Sequence, residues 1–216
     1  MDKIQQWTQH NKMKLNGKKT KLMVINFTRN YQFSSRIYLE NELIEIIEET
    51  KLLGCVLSSD LKFHKNTELM TKKAFSRMTL LQKLYSFNVP KEDLVNIYVL
   101  YIRSLVEQNV AVWNHTITQE ETEDIERVQK VAVKMILKEN YTNYNDAMNL
   151  LGLENLESRR SSLCLKFAKT CLKNEKTAKM FPLNPYYNPK LRNSEKYDVK
   201  FVHNNRLRDS AIPALQ

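Results

Sequence analysis

Side chains able to do covalent or metal chemistry are few in this chain and stand apart from one another. The four histidines, His10, His64, His115 and His203, include no close pair of the kind that a zinc hydrolase places on one helix. Cys164 and Cys171 are seven residues apart on one predicted helix face, with Cys55 remote from both. Without CxxC spacing or nearby ligands, all three are read as reduced thiols, the helical pair in the core. There is no glycine-rich phosphate loop and no Gly-x-Ser-x-Gly elbow. Acidic pairs occur at Glu48-Glu49, Glu92-Asp93 and Glu123-Asp124; the last two fall at predicted helix starts, where the helix dipole accounts for them. No Asp-Asp pair follows a predicted strand, so no two-metal phosphoryl-transfer site is expected. On its own residues the chain has no active site and no metal ligands. What remains is lysine.

Basic residues number 34 against 24 acidic ones, a net charge of +10 that suits a polyanionic partner. The surplus comes in blocks. Residues 1–30 hold seven basic residues and one acidic, and residues 161–216 hold eleven and four, whereas 31–60 and 111–160 are net acidic. Lys12, Lys14, Lys18, Lys19 and Lys21 form the first cluster. At about 100° per residue, Lys65, Lys72 and Lys83 share one side of a predicted helix, opposite Met70, Ala74, Met78, Leu81 and Tyr85. Two readings of each lysine block stay open, a polyanion contact and a plainly solvated face.

The elements that must position these lysines follow from composition and pattern. Only three glycines in 216 residues argue against sandwiches, propellers and doubly wound sheets, while 42% apolar residues supply a core. Neither a signal peptide nor an apolar run of about 18 residues occurs, which predicts an intracellular protein of nucleus or cytoplasm with no membrane partner. The first quarter reads as a short helix bearing Ile4 and Trp7 that ends near Leu15-Asn16-Gly17, then strands. These are expected at Lys21 to Phe27, at Arg36 to Leu39 and Leu43 to Ile47 around a Glu40-Asn41-Glu42 turn, and at Lys51 to Leu57. Within the last run, Gly54 marks a bulge or close backbone approach, or else a plain turn. From Phe63 the pattern is helical. Helices are expected from Phe63 to Tyr85, from Pro90 towards Trp113, after the Thr118–Glu121 capping box, from Asp146 to a stop at Gly152, and from Leu156 to Leu172. Phe181 onward, with Pro182, Pro185 and Pro189, reads as a basic extended tail. The predicted class is α+β, predominantly helical, with a small antiparallel β part at 1–62, a helical bundle at 63–180 and a tail at 181–216.

Several of these residues, taken in order, resemble a family. Trp7 followed by Lys14-Leu15-Asn16-Gly17-Lys18-Lys19-Thr20-Lys21 and a strand looks like the segment after the catalytic motif in reverse transcriptases of non-LTR, jockey-type retrotransposons. Lys51-Leu52-Leu53-Gly54-Cys55-Val56-Leu57, with Leu61 and His64 behind it, resembles their primer grip, with Leu52 where an aromatic is usual. The likeness continues through Tyr101-Ile102-Arg103-Ser104-Leu105, Trp113, Glu126-Arg127-Val128-Gln129, Leu151-Gly152-Leu153, Leu156, Arg159-Arg160 and Arg208-Asp209-Ser210-Ala211-Ile212-Pro213.

The resemblance implies the end of a palm, a primer grip, a thumb and a C-terminal extension. The metal-binding aspartates of the family, and the Mg2+ they hold in a complete polymerase, would belong to a part before Met1. This portion is therefore expected to be inactive alone, with no small-molecule site, and at most to hold an RNA template and DNA primer. The contact residues implied are Lys14, Lys18, Lys19, Lys21, Lys51, Leu53, Gly54, Lys65, Lys72 and Lys83, and Lys19 matches the family's post-catalytic lysine. A host-retained helical protein-interaction module and a functionless relic of a decayed element are the alternatives.

Overall fold

Positive-φ residues and caps set the boundaries of this chain more than propensity does. The computed structural model describes residues 2–26, 33–39, 42–190 and Tyr197. The chain divides into two compact units, Met1–Lys62 and Phe63–Gln216, and is predominantly helical.

In the first unit, α1 (Asp2–His10) ends earlier than the sequence suggests, because Lys12 takes a left-handed conformation (φ 54°). Ile4 and Trp7 stay largely exposed, and Leu15-Asn16-Gly17 instead leads into a single 3-10 turn, Gly17–Lys19, with the Asn16 side chain accepting from the Lys19 N–H. The expected strand from Lys21 to Phe27 is only β1 (Lys21–Leu22); Phe27 lies outside the described residues. β1 pairs in parallel with β4 (Glu45–Ile46), so one pairing departs from the expected antiparallel set. β2 (Tyr38–Leu39) and β3 (Glu42–Leu43) pair antiparallel with Leu39 opposite Glu42; the expected turn residues Glu40 and Asn41 lie outside the described residues. This pair closes on the 3-10 turn: a Cβ at Gly17 would sit 2.5 Å from Glu42 Oε2 and 3.3 Å from the Leu39 carbonyl oxygen. The close backbone approach thus belongs to Gly17.

Gly54 does the other job. Lys51 to Leu57 is not one strand but the bend of a hairpin between β5 (Glu49–Leu52) and β6 (Cys55–Ser58), with Leu52 opposite Cys55. Only Leu53 and Gly54 connect them, at φ 48° and 87°. Two-residue hairpin turns with both central residues at positive φ follow the natural strand twist, which explains why the run folds back here. Leu53 is 86% exposed at the tip. Among the described residues of this unit, Leu39, Ile44 and Cys55 are the buried apolar ones.

The second unit is built on α2 (His64–Ser86) and α6 (Gln119–Leu137). Ala74, Met78 and Leu81 are buried on α2 as expected, while Met70 and Tyr85 are half-buried and the polar Asn66, Thr67 and Thr71 join the buried side. Pro90 precedes α3 (Lys91–Ile97), whose first turn carries Glu92 and Asp93. The single helix expected towards Trp113 is interrupted. It passes through a π-helical stretch, Tyr98–Arg103, into α4 (Ser104–Glu107), breaks at Asn109 (φ 55°), and resumes as α5 (Val110–Trp113). The break has a local cause: the Trp113 indole N–H donates to the Gln108 carbonyl at 2.8 Å, which satisfies a fully buried ring.

The Thr118–Glu121 capping box that opens α6 is reciprocal, with bonds of 3.2 and 2.8 Å. α7 (Tyr144–Leu151) stops at Gly152, which is left-handed, and α8 (Leu156–Lys173) starts at Asn155, whose side chain accepts from the Ser158 N–H at 2.8 Å. α9 (Glu175–Ala178) follows. Beyond it Phe181 is buried with Ala168 and Cys171, and its ring meets Tyr197 edge-on at 6.3 Å, so the start of the expected tail is docked.

The hairpin tip yields a direct test. Leu53→Asn removes the left-handed penalty of a branched apolar residue and should stabilise the β5–β6 turn by about 1 kcal/mol, whereas Gly54→Ala should cost about 1 kcal/mol. Native-state hydrogen exchange of the hairpin amides reads both.

Candidate nucleic-acid interface

A polyanion is held by cations that are exposed and not already neutralised, so each candidate lysine is judged by its immediate partners. Lys14 and Lys18 are exposed and line an open cleft of about 420 Å³ with Leu15, Asn16, Gly17 and Glu42. A carboxylate therefore shares the space with the two ammonium groups. Lys19 is exposed beside them, and Lys12 precedes the cleft at the end of α1. Lys21 is engaged: its Nζ donates to the Glu45 carboxylate across the β1–β4 pair. Lys51 is exposed on β5, one residue before Leu52, with Leu53 and Gly54 forming the tip beyond.

The α2 row is also less free than its spacing implies. Lys72 is exposed and Lys65 half-buried, but Glu68 lies between them on the helix. Its carboxylate accepts from Lys65 Nζ at 3.1 Å and from Lys72 Nζ at 2.5 Å. Those two lysines hold the Glu68 carboxyl below its usual range. Two positive charges thus share one negative, and Lys83 stands further along as the third member, exposed near the end of α2. The sequence held this signal, since Glu68 is three residues from Lys65 and four from Lys72.

Most of the helical segments that carry the family resemblance do something else: they tie the bundle together. Gln129 is fully buried on α6. Its Oε1 accepts from the Tyr98 hydroxyl at 2.6 Å, and its Nε2 lies 3.0 Å from the Tyr144 hydroxyl and 2.8 Å from the Glu154 carbonyl. Tyr144 donates onward to Glu126, whose other oxygen accepts the Leu156 N–H at 3.0 Å. Glu107 on α4 takes Arg159 of α8 and lies 3.4 Å from Arg103. Arg160 is buried against Trp113's helix end, donating through Nε to Asn114 Oδ1 at 2.9 Å, and burial lowers its pKa. Arg208 to Pro213 of the resemblance lie outside the described residues.

Among the described residues no group of three or more His, Cys, Asp or Glu is placed to hold a metal ion. Cys55, Cys164 and Cys171 are buried and unbridged, and burial pushes the Cys55 and Cys164 thiols up, away from the reactive thiolate. No described helix is long and apolar enough to cross a membrane. No protein-family model matches the chain, and no curated protein or solved structure matches it significantly.

Two tests follow from the buried network. Gln129→Leu orphans the Tyr98 hydroxyl and the Glu154 carbonyl and should cost about 2–4 kcal/mol in urea unfolding, with Tyr98→Phe in the same chain recovering part of it. Burial raises the Tyr98 pKa, and burial followed by the Glu126 hydrogen bond raises that of Tyr144. A tyrosine raised in the folded state favours folding fully below its unfolded pKa of about 10 and loses that contribution as pH climbs towards the folded value. Stability should fall above about pH 10 with a contribution near 1.4 kcal/mol per pH unit from Tyr98, and Tyr98→Phe should flatten the curve.

Proposed function

We propose that this chain is the palm-end, primer-grip and thumb portion of a reverse transcriptase of the non-LTR retrotransposon kind, and that by itself it holds nucleic acid without polymerising. The observation that carries this reading is the β5–β6 hairpin. Its two-residue tip, Leu53-Gly54, presents backbone with one exposed side chain and none at the glycine, which is what a grip on a primer end requires. Support comes from the helical unit that follows, where Glu126, Gln129 and Arg159, all from the resembling segments, make ties between helices. Lys14, Lys18, Lys19 and Lys51 in the first unit and Lys65, Lys72 and Lys83 in the second supply phosphate contacts, which position a duplex without reading its sequence. Lys19 has no leaving group to protonate in this portion alone.

Binding of the full chain to a labelled RNA–DNA hybrid across a salt series tests the reading. Three to six phosphate contacts predict that log affinity falls with log salt at a slope of about −3 to −5. Glu68→Gln should release Lys65 and Lys72, tightening binding and steepening that slope by about one unit. Lys65→Ala, Lys72→Ala and Lys83→Ala together should make it shallower by less than three units, because Glu68 already neutralises part of the row. A folded chain that ignores the hybrid at about 50 mM salt removes the nucleic-acid reading and leaves the protein-interaction module or the functionless relic. Template-directed synthesis by the chain alone would overturn its proposed inactivity.

A further inference from the structure

The lysine rows of the helical unit differ in what their head groups already do. On α2, Lys65 and Lys72 share Glu68. On α6 and the turn that follows it, Lys130, Lys134 and Lys138 each lie over a tyrosine ring, those of Tyr144, Tyr141 and Tyr85, at 5.5, 5.2 and 3.8 Å. The third row runs along α8 and α9 to the residue just after α9. Lys166, Lys169, Lys173, Lys176 and Lys179 are all exposed, and among the described residues none of the five has an ion-pair or ring partner.

Their arrangement follows from how α8 is seated. Leu156, Arg160, Cys164, Ala168 and Cys171 are its buried residues. At about 100° per residue, Lys166, Lys169 and Lys173 fall within about 60° of one another on the diametrically opposite side. Ser158 and Ser162 continue the same ridge towards the N-terminus, both exposed, and no carboxylate of α8 lies on it. The three lysines span about 10 Å of helix, the rise of about three phosphates along one strand of a duplex. Lys176 and Lys179 extend the charge through α9, where Glu175 is the single acidic residue between Ser161 and Lys190. Helix-dipole stabilisation explains only Lys173, the one basic residue in the last turn of α8.

We infer that this α8–α9 ridge is a second phosphate-binding face, fitted to the sugar–phosphate backbone of a nucleic acid. The inference rests on the nucleic-acid reading above for its class of ligand, and on uncompensated charge for its place. Five compact point charges with serine hydroxyls alongside can neutralise phosphates without any base-reading group on the ridge. A lipid surface fits less well. The exposed apolar side chains of this helix, Leu165 and Phe167, lie on opposite flanks of the ridge, about 160° apart, and cannot enter one membrane plane together.

The test compares the full chain with K166Q/K169Q/K173Q/K176Q/K179Q and with the matching five-fold Lys→Arg variant, on the same labelled RNA–DNA hybrid. All five positions are exposed, so far-UV circular dichroism should not change. The glutamine variant should lose about two to four units of salt slope and at least about tenfold in affinity at about 100 mM salt, while the arginine variant keeps both. A glutamine variant that binds like the parent overturns this inference and leaves the hairpin and α2 reading standing. A parent that does not bind the hybrid overturns both. Lysine-dependent binding to phosphatidylserine vesicles or to polyglutamate, without binding to the hybrid, replaces the proposed occupant with another. If the five-fold change unfolds the chain, K166Q/K169Q reads the same effect at about two units of slope, and no change in that variant counts against the ridge.

Discussion

A primary amide buried without solvent is tolerated only if its oxygen and nitrogen both find partners, and Gln129 is in that position at the middle of α6. Its partners come from the start of the π-helical stretch, from α7 and from the loop before α8. Satisfying this one side chain therefore fixes three other segments of the helical unit relative to α6. Glu126, one turn earlier, extends the same logic by accepting the first free N–H of α8 and the Tyr144 hydroxyl. An apolar contact is non-directional and would permit sliding; a fully connected polar node does not.

That constraint bears on the unusual course of the chain between Ile97 and Trp113. Tyr98 must aim its hydroxyl at Gln129, while Glu107, with Arg103 beside it, must reach Arg159 of α8. A π-helical turn adds a residue per turn and rotates the following side chains relative to a regular helix, which lets both ends of the segment meet their partners. The outward side of the same stretch holds Arg77 of α2, whose guanidinium stacks over the Tyr101 ring at 4.0 Å. Arginine is thus spent on internal ties here, and lysine is left to the surface. This division explains how a strongly basic protein keeps a tightly connected helical unit.

Charge alone proves a poor guide to which lysines remain unneutralised. Lys21, Lys65 and Lys72 belong to the most suggestive clusters in the sequence, yet each faces a carboxylate. The α6 lysines cover tyrosine rings, and the lysines of α8 and α9 do neither. Affinity for a polyanion depends on the charge left after such local neutralisation, because each phosphate must displace whatever already partners the cation.

The sequence by itself determined features that act within about four residues along the chain. The capping box at Thr118 and Glu121, the stop at Gly152 and the burial of Ala74, Met78 and Leu81 on α2 were legible, since caps and periodicity are local signals. Even Glu68 was readable by its spacing. Tertiary structure alone decided the rest. Strand length in the first unit depends on which segments pair, so Lys21 to Phe27 shrank to two residues and one pairing ran parallel. Gly54, open between a close approach and a turn, is the turn, and the close approach falls at Gly17 near the expected helix end, because a close approach needs a partner brought from elsewhere in the chain. Gln129, Glu126 and Arg160 look like surface residues by side-chain type, although periodicity sets Gln129 and Arg160 on the apolar arcs of α6 and α8. They are drawn into the interior by partners 15 to 46 residues away, whose convergence is set only when the helices pack.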